Sequence, residues 1–221
     1  MRWSKESLES ESYKRVMIKY RDITMDGRNS AQLKTPNFHY RMMTDNGLGA
    51  WRHWASYKNR DLILKYTHNP ELKGIDFGGA HGPISEYAEI IDIRPVASYD
   101  LPVVAPNLDI YKDNSIDYIW SSHALEHTPN LVETLQKMYD ILKPNGTILF
   151  ILPTYTCKRW LPPNHSHNQY PHQCIFCLNE DYPEGISIEI LLKKIGFSLI
   201  KCHYCGDNSI FIHGEKKIAS N

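Results

Sequence analysis

The sequence lacks any apolar run long enough to span a bilayer as a helix. Its longest such stretch, Ile148-Leu149-Phe150-Ile151-Leu152, has the length of a buried strand. Net charge is also missing: 25 Lys and Arg balance 25 Asp and Glu, so the basic footprint of a dedicated nucleic-acid binder is absent. Cysteine is scarce, five in 221 residues, and the start Met1-Arg2-Trp3-Ser4-Lys5-Glu6-Ser7 has no apolar segment of the secretory type. The expectation is a cytoplasmic protein whose cysteines stay reduced, as thiols or metal ligands rather than disulfides. There is no internal repeat and no low-complexity tract.

What is present is enough chain for one good-sized α/β domain with an appendage. The charge balance conceals an asymmetry: residues 1–60 hold 12 Lys/Arg against 6 Asp/Glu, and the remainder carries the opposite excess. Apolar periodicity predicts helices over 4–24 and 48–66, the latter rich in Trp51, Trp54 and Tyr57. These two helices form an expected N-terminal cap, residues 1–70. Its basic excess would suit an anionic ligand, although a solvated helix face accounts for the same charges.

From residue 72 the texture changes to short apolar runs alternating with helical segments, the pattern of a mostly parallel sheet covered by helices. Strands are expected at 73–77, 89–93, within 98–104, at 116–121 and at 146–152. A helix over 130–142 ends at Lys143-Pro144-Asn145-Gly146, a stop and turn signal. Another helix is expected at 186–195, and 198–214, broken by Gly206-Asp207-Asn208, reads as a hairpin. The segment 153–185 fits none of these. It holds five prolines with His165, His167 and His172, and is too long for an idle connection.

Ile75-Asp76-Phe77-Gly78-Gly79-Ala80-His81-Gly82-Pro83 stands where a buried strand gives way to a helix. Glycines there allow close approach of backbone to a ligand, and proline suits a first helical turn. The next strand ends at Asp92, 16 residues after Asp76. A carboxylate so placed can reach ribose hydroxyls lying over the strand ends. The spacing of Gly78, Ala80 and Gly82 is G-x-A-x-G, not the dinucleotide G-x-G-x-x-G. A structural turn without a ligand is the competing reading.

With Asp76 before it, that loop resembles the first motif, D/E-x-G-x-G-x-G, of class I S-adenosylmethionine-dependent methyltransferases, in their small-molecule, type 11-like branch. Two further stretches carry the likeness: Asp113-Asn114-Ser115-Ile116-Asp117-Tyr118-Ile119-Trp120-Ser121-Ser122-His123-Ala124-Leu125-Glu126-His127, and Leu142-Lys143-Pro144-Asn145-Gly146. Ala80 and Asn145 stand where glycines are usual. Asn145 is a mild departure because asparagine tolerates left-handed backbone.

The resemblance, which covers roughly 72–214, implies a Rossmann-like, doubly wound, mostly parallel seven-stranded sheet with an antiparallel last strand and an N-terminal helical lid. It makes 71–221 the S-adenosylmethionine-binding domain. By position, Gly78, Gly79, Ala80 and Gly82 would lie against the methionine and ribose parts of the cofactor and Asp92 would hold the ribose hydroxyls. Asp76 would order the loop, and Asp100 and Asp109 compete for the adenine amine. Ser121 and Ser122 would face the methionine end. His123 and His127 are the candidate bases, although a histidine at the second position often fixes the strand-to-helix turn, and Glu126 reads as structural.

The resemblance also implies that the segment after the fifth strand, 153–185, closes over the acceptor. His165, His167 and His172 are therefore expected in the acceptor pocket. The acceptor itself is expected to be a small molecule methylated on oxygen or nitrogen, such as a saccharide or sugar nucleotide, with no membrane and nucleic acid disfavoured. Protein or RNA acceptors, and a non-catalytic binding module of the same fold, are the alternatives. Cys174-x2-Cys177 and Cys202-x2-Cys205 raise a further reading, a zinc site, in which Cys174 and Cys177 could act with histidines of 165–172. The second pair falls in a predicted strand, where side chains three apart face opposite ways. The metal question stays open at this level.

Overall fold

A computed structural model describes residues 59–79, 84–85, 87–93, 103–104, 107–156, 172–205 and 208–217. The chain forms two compact units, Met1–Asn107 and Leu108–Asn221. The helix expected over 4–24 and most of that expected over 48–66 lie outside the described residues, as do Trp51, Trp54 and Tyr57.

The first unit contains helix α1, Arg60–Thr67, and strands β1, Gly74–Phe77, β2, Ala88–Ile91, and β3, Val103–Val104. Ile63 of α1 is buried, and Thr67 Oγ1 donates to the Ile63 carbonyl at 3.0 Å near the helix end. All three strands are parallel, in the order β3-β2-β1, with Phe77 opposite Ile91 and Ile91 opposite Val104. Every residue of β1 is buried, as expected of a strand covered on both faces. Because β1 and β2 stop in register, Gly78 and Asp92 emerge side by side at the carboxyl ends of adjacent parallel strands.

The second unit opens with a 3-10 turn, Leu108–Ile110, followed by β4, Ile116–Ser122, and a second 3-10 turn, Leu125–His127. Helix α2, Leu131–Ile141, then runs directly into β5, Leu142–Pro153. The buried residues of α2, Leu131, Leu135, Met138 and Ile141, recur every three or four positions and form one apolar stripe. A small parallel pair, β6, Phe176–Cys177, and β7, Ile186–Ser187, precedes α3, Ile188–Ile195, and the chain ends in β8, Phe197–Cys205, and β9, Ser209–Lys216. The main strands lie in the order β4-β5-β9-β8. β4 and β5 are parallel, whereas β9 runs antiparallel to both β5 and β8. The result is a mostly parallel α/β architecture with a late antiparallel strand.

Three boundaries differ from the sequence expectation. β2 ends at Ile91, which puts Asp92 just beyond the strand. β5 begins at Leu142 instead of 146, because Lys143-Pro144-Asn145-Gly146 is a bulge: Ile116 pairs with Leu142 and Tyr118 already pairs with Thr147. Asn145 has φ +63° there, the left-handed geometry anticipated for it. β6 falls within 153–185, where no local pattern announced a strand, and its partner β7 takes the first two residues of the helix expected at 186–195, which begins at Ile188 instead.

Candidate functional site

In the first unit the side chain of Asp76, on buried β1, turns toward the loop that follows. Its Oδ2 accepts a hydrogen bond from the backbone N–H of Ile84 at 2.7 Å. That single bond fastens the far end of the glycine loop to the strand from which the loop departs. Gly78 leaves the strand with φ +86°, while its N–H still donates to the Ile91 carbonyl at 2.7 Å. Gly79 is glycine for a different reason: a Cβ there would lie 2.3 Å from the Asp76 carboxyl carbon. The loop therefore packs its backbone directly on the carboxylate. Burial pushes Asp76 up to about 7, the Ile84 N–H opposes this, and the charge of Asp92 adds to it. Ala80, Gly82 and Asp100 lie outside the described residues.

In the second unit β4 carries Ser121 and Ser122 to its carboxyl end. Ser121 is buried, and its hydroxyl has no hydrogen-bond partner among the described residues. His123 follows with φ +52°, a conformation that costs a non-glycine residue energy and is held by its N–H bond to the Ile151 carbonyl of β5 at 2.9 Å. Glu126, on the next 3-10 turn, is 1% exposed. Its Oε1 lies 3.7 Å from His123 Nδ1, 3.9 Å from His127 Nε2 and 3.8 Å from His172 Nε2. Three imidazoles thus converge on one buried carboxylate. Burial pushes that carboxyl up to about 8.

His172 reaches this cluster because the chain returning from the long segment is fastened to it: the Gln173 N–H donates to the Glu126 carbonyl at 2.6 Å. The rings of His127 and His172 meet edge to face, 4.7 Å apart. On its other side, His123 Nε2 stands 3.5 Å from Ser209 Oγ at the start of β9. His123 thus lies between a buried carboxylate, beyond hydrogen-bond length at 3.7 Å, and the Ser209 hydroxyl at 3.5 Å.

A family profile described as "Methyltransferase domain" matches residues 51–201. The chain belongs to this methyltransferase family. No curated sequence matches it. Among solved structures, a chain of the complex between the Haloferax volcanii Trm112 methyltransferase activator and a methyltransferase shares 15% identity, covering 90% of this chain and 98% of that one, with a TM-score of 0.59. A SAM-dependent methyltransferase from Archaeoglobus fulgidus shares 17% identity over 73% of this chain and 92% of its own, with a TM-score of 0.56. One from Thermotoga maritima shares 15% identity over 75% and 97%, with a TM-score of 0.53. At these identities the structural likeness shows the fold, which is Rossmann-like. S-adenosylmethionine is the cofactor of the family, and the methyltransferase loop described above fits it: paired strand ends, a left-handed glycine and a pinned return give backbone access beside a carboxylate.

Of the remaining methyltransferase residues picked out in the sequence, Asp109 lies on the 3-10 turn, is largely solvent-exposed, and is 3.7 Å from Lys137 Nζ. His165 and His167 lie outside the described residues. Among the described residues the two Cys-x2-Cys pairs do not assemble into a ligand set, since the only such group is Glu126, His127 and His172. Cys177 turns its thiol to the Tyr182 carbonyl at 3.8 Å, and Cys202 and Cys205 stand on β8 at the side of the sheet away from β5. Cys174 alone approaches the histidine cluster, 3.9 Å from the Glu126 carbonyl. Burial, reinforced by the Glu126 carboxylate, pushes its thiol up to about 12. Sequence reasoning gave Ser209 no role, and nothing but its place after the Gly-Asp-Asn turn marked it. No helix among the described residues is long and apolar enough to cross a membrane.

Proposed function

We propose that the protein transfers the methyl group of S-adenosylmethionine to an oxygen or nitrogen nucleophile of a small molecule, with His123 as the proton acceptor. The observation that supports this most is the buried Glu126 carboxylate beside His123 Nδ1, with Nε2 directed to the Ser209 hydroxyl. A sulfonium methyl is already activated, so the protein's task is to align the acceptor and exclude water. The carbon–sulfur bond breaks as the carbon–oxygen or carbon–nitrogen bond forms. Sulfur keeps the electron pair as a neutral thioether, and the acceptor's proton passes to the His123 imidazole.

In this reading Gly78, Gly79, Ala80 and Gly82 lie against the methionine and ribose, Asp92 binds the ribose hydroxyls, and Asp100 or Asp109 meets the adenine amine. Ser121 and Ser122 face the methionine end. His165, His167 and His172 line the acceptor side, and the balanced charge of the chain favours a small acceptor over RNA. A second reading, a protein or RNA acceptor reached with a partner protein, draws on the likeness to the Haloferax chain solved with an activator.

The test is a methyl-transfer screen with S-adenosylmethionine over sugar nucleotides, hydroxyl- and amine-bearing metabolites, peptides and transfer RNA. Product is expected in the small-molecule arms. His123→Ala should lower kcat by ~10²-fold or more, the usual scale of a general base, while leaving cofactor affinity unchanged. Product only with peptide or RNA would replace the small-molecule reading. Tight cofactor binding without product in any arm would leave a binding module.

A further inference from the structure

Glu126, His127 and His172 each offer one ligand-type atom, and among the described residues these atoms lie within 4.8 Å of one another. Two come from the turn after β4 and the third from beyond the long segment, 45 residues later in the chain. The separations of 3.9 Å and 3.8 Å from Glu126 Oε1 to the two Nε2 atoms exceed hydrogen-bond length. They are also slightly wider than those of atoms sharing one ion: bonds of about 2.0–2.1 Å in a tetrahedral shell place neighbouring ligand atoms ~3.3 Å apart. Sharing one ion would require the carboxylate to close on each imidazole by ~0.5 Å and the two imidazole nitrogens, which lie within 4.8 Å of each other, to close by up to ~1.5 Å.

A second observation points the same way. Glu126 Oε2 is buried and has no hydrogen-bond partner among the described residues. A carboxylate oxygen left so is costly, and a cation at the cluster would satisfy it. The rings of His127 and His172 meet edge to face, and both Nε2 atoms lie within 4 Å of the carboxylate. The Gln173 N–H bond to the Glu126 carbonyl fixes the segment that carries the third ligand. His123 Nδ1, 3.7 Å from the same Oε1, lies beside this group and faces Ser209 with its other nitrogen.

We infer that Glu126, His127 and His172 form a binding site for a divalent first-row transition cation. Two imidazoles and one carboxylate suit zinc or iron(II), and are a poor set for magnesium or calcium, which prefer all-oxygen shells. Three protein ligands leave at least one coordination position for water or a ligand oxygen. The consequence for catalysis rests on the proposed methyl transfer: an acceptor hydroxyl placed on the cation would lose its proton more readily, with His127 as ligand and His123 still the base.

The test measures metal binding without acceptor or cofactor, so its failure would leave the methyl-transfer reading standing, and cofactor binding is titrated separately. Tag-free protein stripped with a chelator is titrated by calorimetry with zinc, cobalt(II), iron(II) without oxygen, and magnesium. One equivalent of a transition cation should bind, with a rise in Tm, and magnesium should not. His127→Gln and His172→Gln should each weaken binding by ~100-fold or more, above the range for losing an outer partner of a ligand. Cys177→Ser should leave it unchanged. The cobalt(II) spectrum of the unsubstituted protein gives a readout independent of variant folding: visible d–d bands without a near-ultraviolet thiolate band are expected. Substoichiometric binding, binding indifferent to both histidine variants, or a thiolate band would overturn the site.

Discussion

Asp76 and Ile84 are joined by a 2.7 Å hydrogen bond from the Ile84 N–H to the Asp76 carboxylate, which closes the glycine loop on its own strand. The backbone lies against the carboxylate at Gly79. Gly79→Ala would drive a methyl group to 2.3 Å from the Asp76 carboxyl carbon. Either the carboxylate or the loop must move, at a cost of about 3 kcal/mol, the upper end for overpacking. Urea denaturation should show that loss, and calorimetry should show S-adenosylmethionine binding abolished even where the variant remains folded.

Asp76 also makes stability depend on pH. Burial holds its folded-state value at about 7 against an ordinary 3.8, so between those values the folded chain keeps a proton that the unfolded chain has released. Stability therefore falls as pH rises through this window, by up to about 1.4 kcal/mol per pH unit, and the cost is complete above pH 7. Asp76→Asn keeps an oxygen for the Ile84 N–H and removes the titration. The variant should match the original protein below pH 4, gain on it steadily up to pH 7, and hold a constant advantage beyond. Parallel denaturation curves from pH 3 to 9 read this directly.

Much of this architecture was legible because it is periodic. The stripe Leu131, Leu135, Met138 and the run Ile148–Leu152 announce a helix packed on one face and a buried strand, and both form within a few residues of expectation. The left-handed Gly78 after β1 and the carboxylate just beyond β2 were legible as local spacing. The convergence of His172 on Glu126 was not, since sheet topology and a backbone bond at Gln173 bring together residues 46 apart. The Cys-x2-Cys pairs, whose metal role the spacing left open, show the same limit. Spacing takes no account of a thiol such as that of Cys177, which turns to the Tyr182 carbonyl.

The bulge that separates α2 from the buried part of β5 rests on Asn145 at φ +63°. Alanine has no side-chain amide to offset left-handed strain, so Asn145→Ala should cost about 1 kcal/mol, whereas Asn145→Gly should be close to neutral. Chemical denaturation of the pair separates this backbone effect from any loss of side-chain contact.

Lys216, at the end of β9, donates to Asn114 Oδ1 at 2.9 Å and to the carbonyls of Asp140 and Leu142 at 3.1 and 2.9 Å. Its ammonium also lies 4.8 Å from the centre of the Tyr139 ring. One side chain thus serves carbonyls at the C-terminus of α2, which the helix itself leaves without donors. Lys216→Met keeps the aliphatic stem and removes the donors. A loss of about 2 kcal/mol is expected by urea denaturation, with S-adenosylmethionine affinity unchanged, since the contacts lie at the end of α2.

Asp92 completes the carboxylate pair in the first unit, and its charge contributes to raising Asp76. The same charge is the proposed anchor for the ribose hydroxyls, so binding and stability make opposite demands on it. Asp92→Asn removes a repulsion that the folded protein bears above pH 7 and should stabilise it there by about 1 kcal/mol. It also weakens a charge-assisted hydrogen bond to the ligand. At about 1.5–3 kcal/mol for such bonds, S-adenosylmethionine affinity should fall roughly 10- to 100-fold. In the Asp76→Asn background the stabilising effect of Asp92→Asn should vanish, because there is no longer a carboxylate to repel, while the loss of affinity should persist. A double-mutant cycle measured by urea denaturation and calorimetry at pH 8 tests both halves, and equal stabilisation in the two backgrounds would show that the two carboxylates are not coupled.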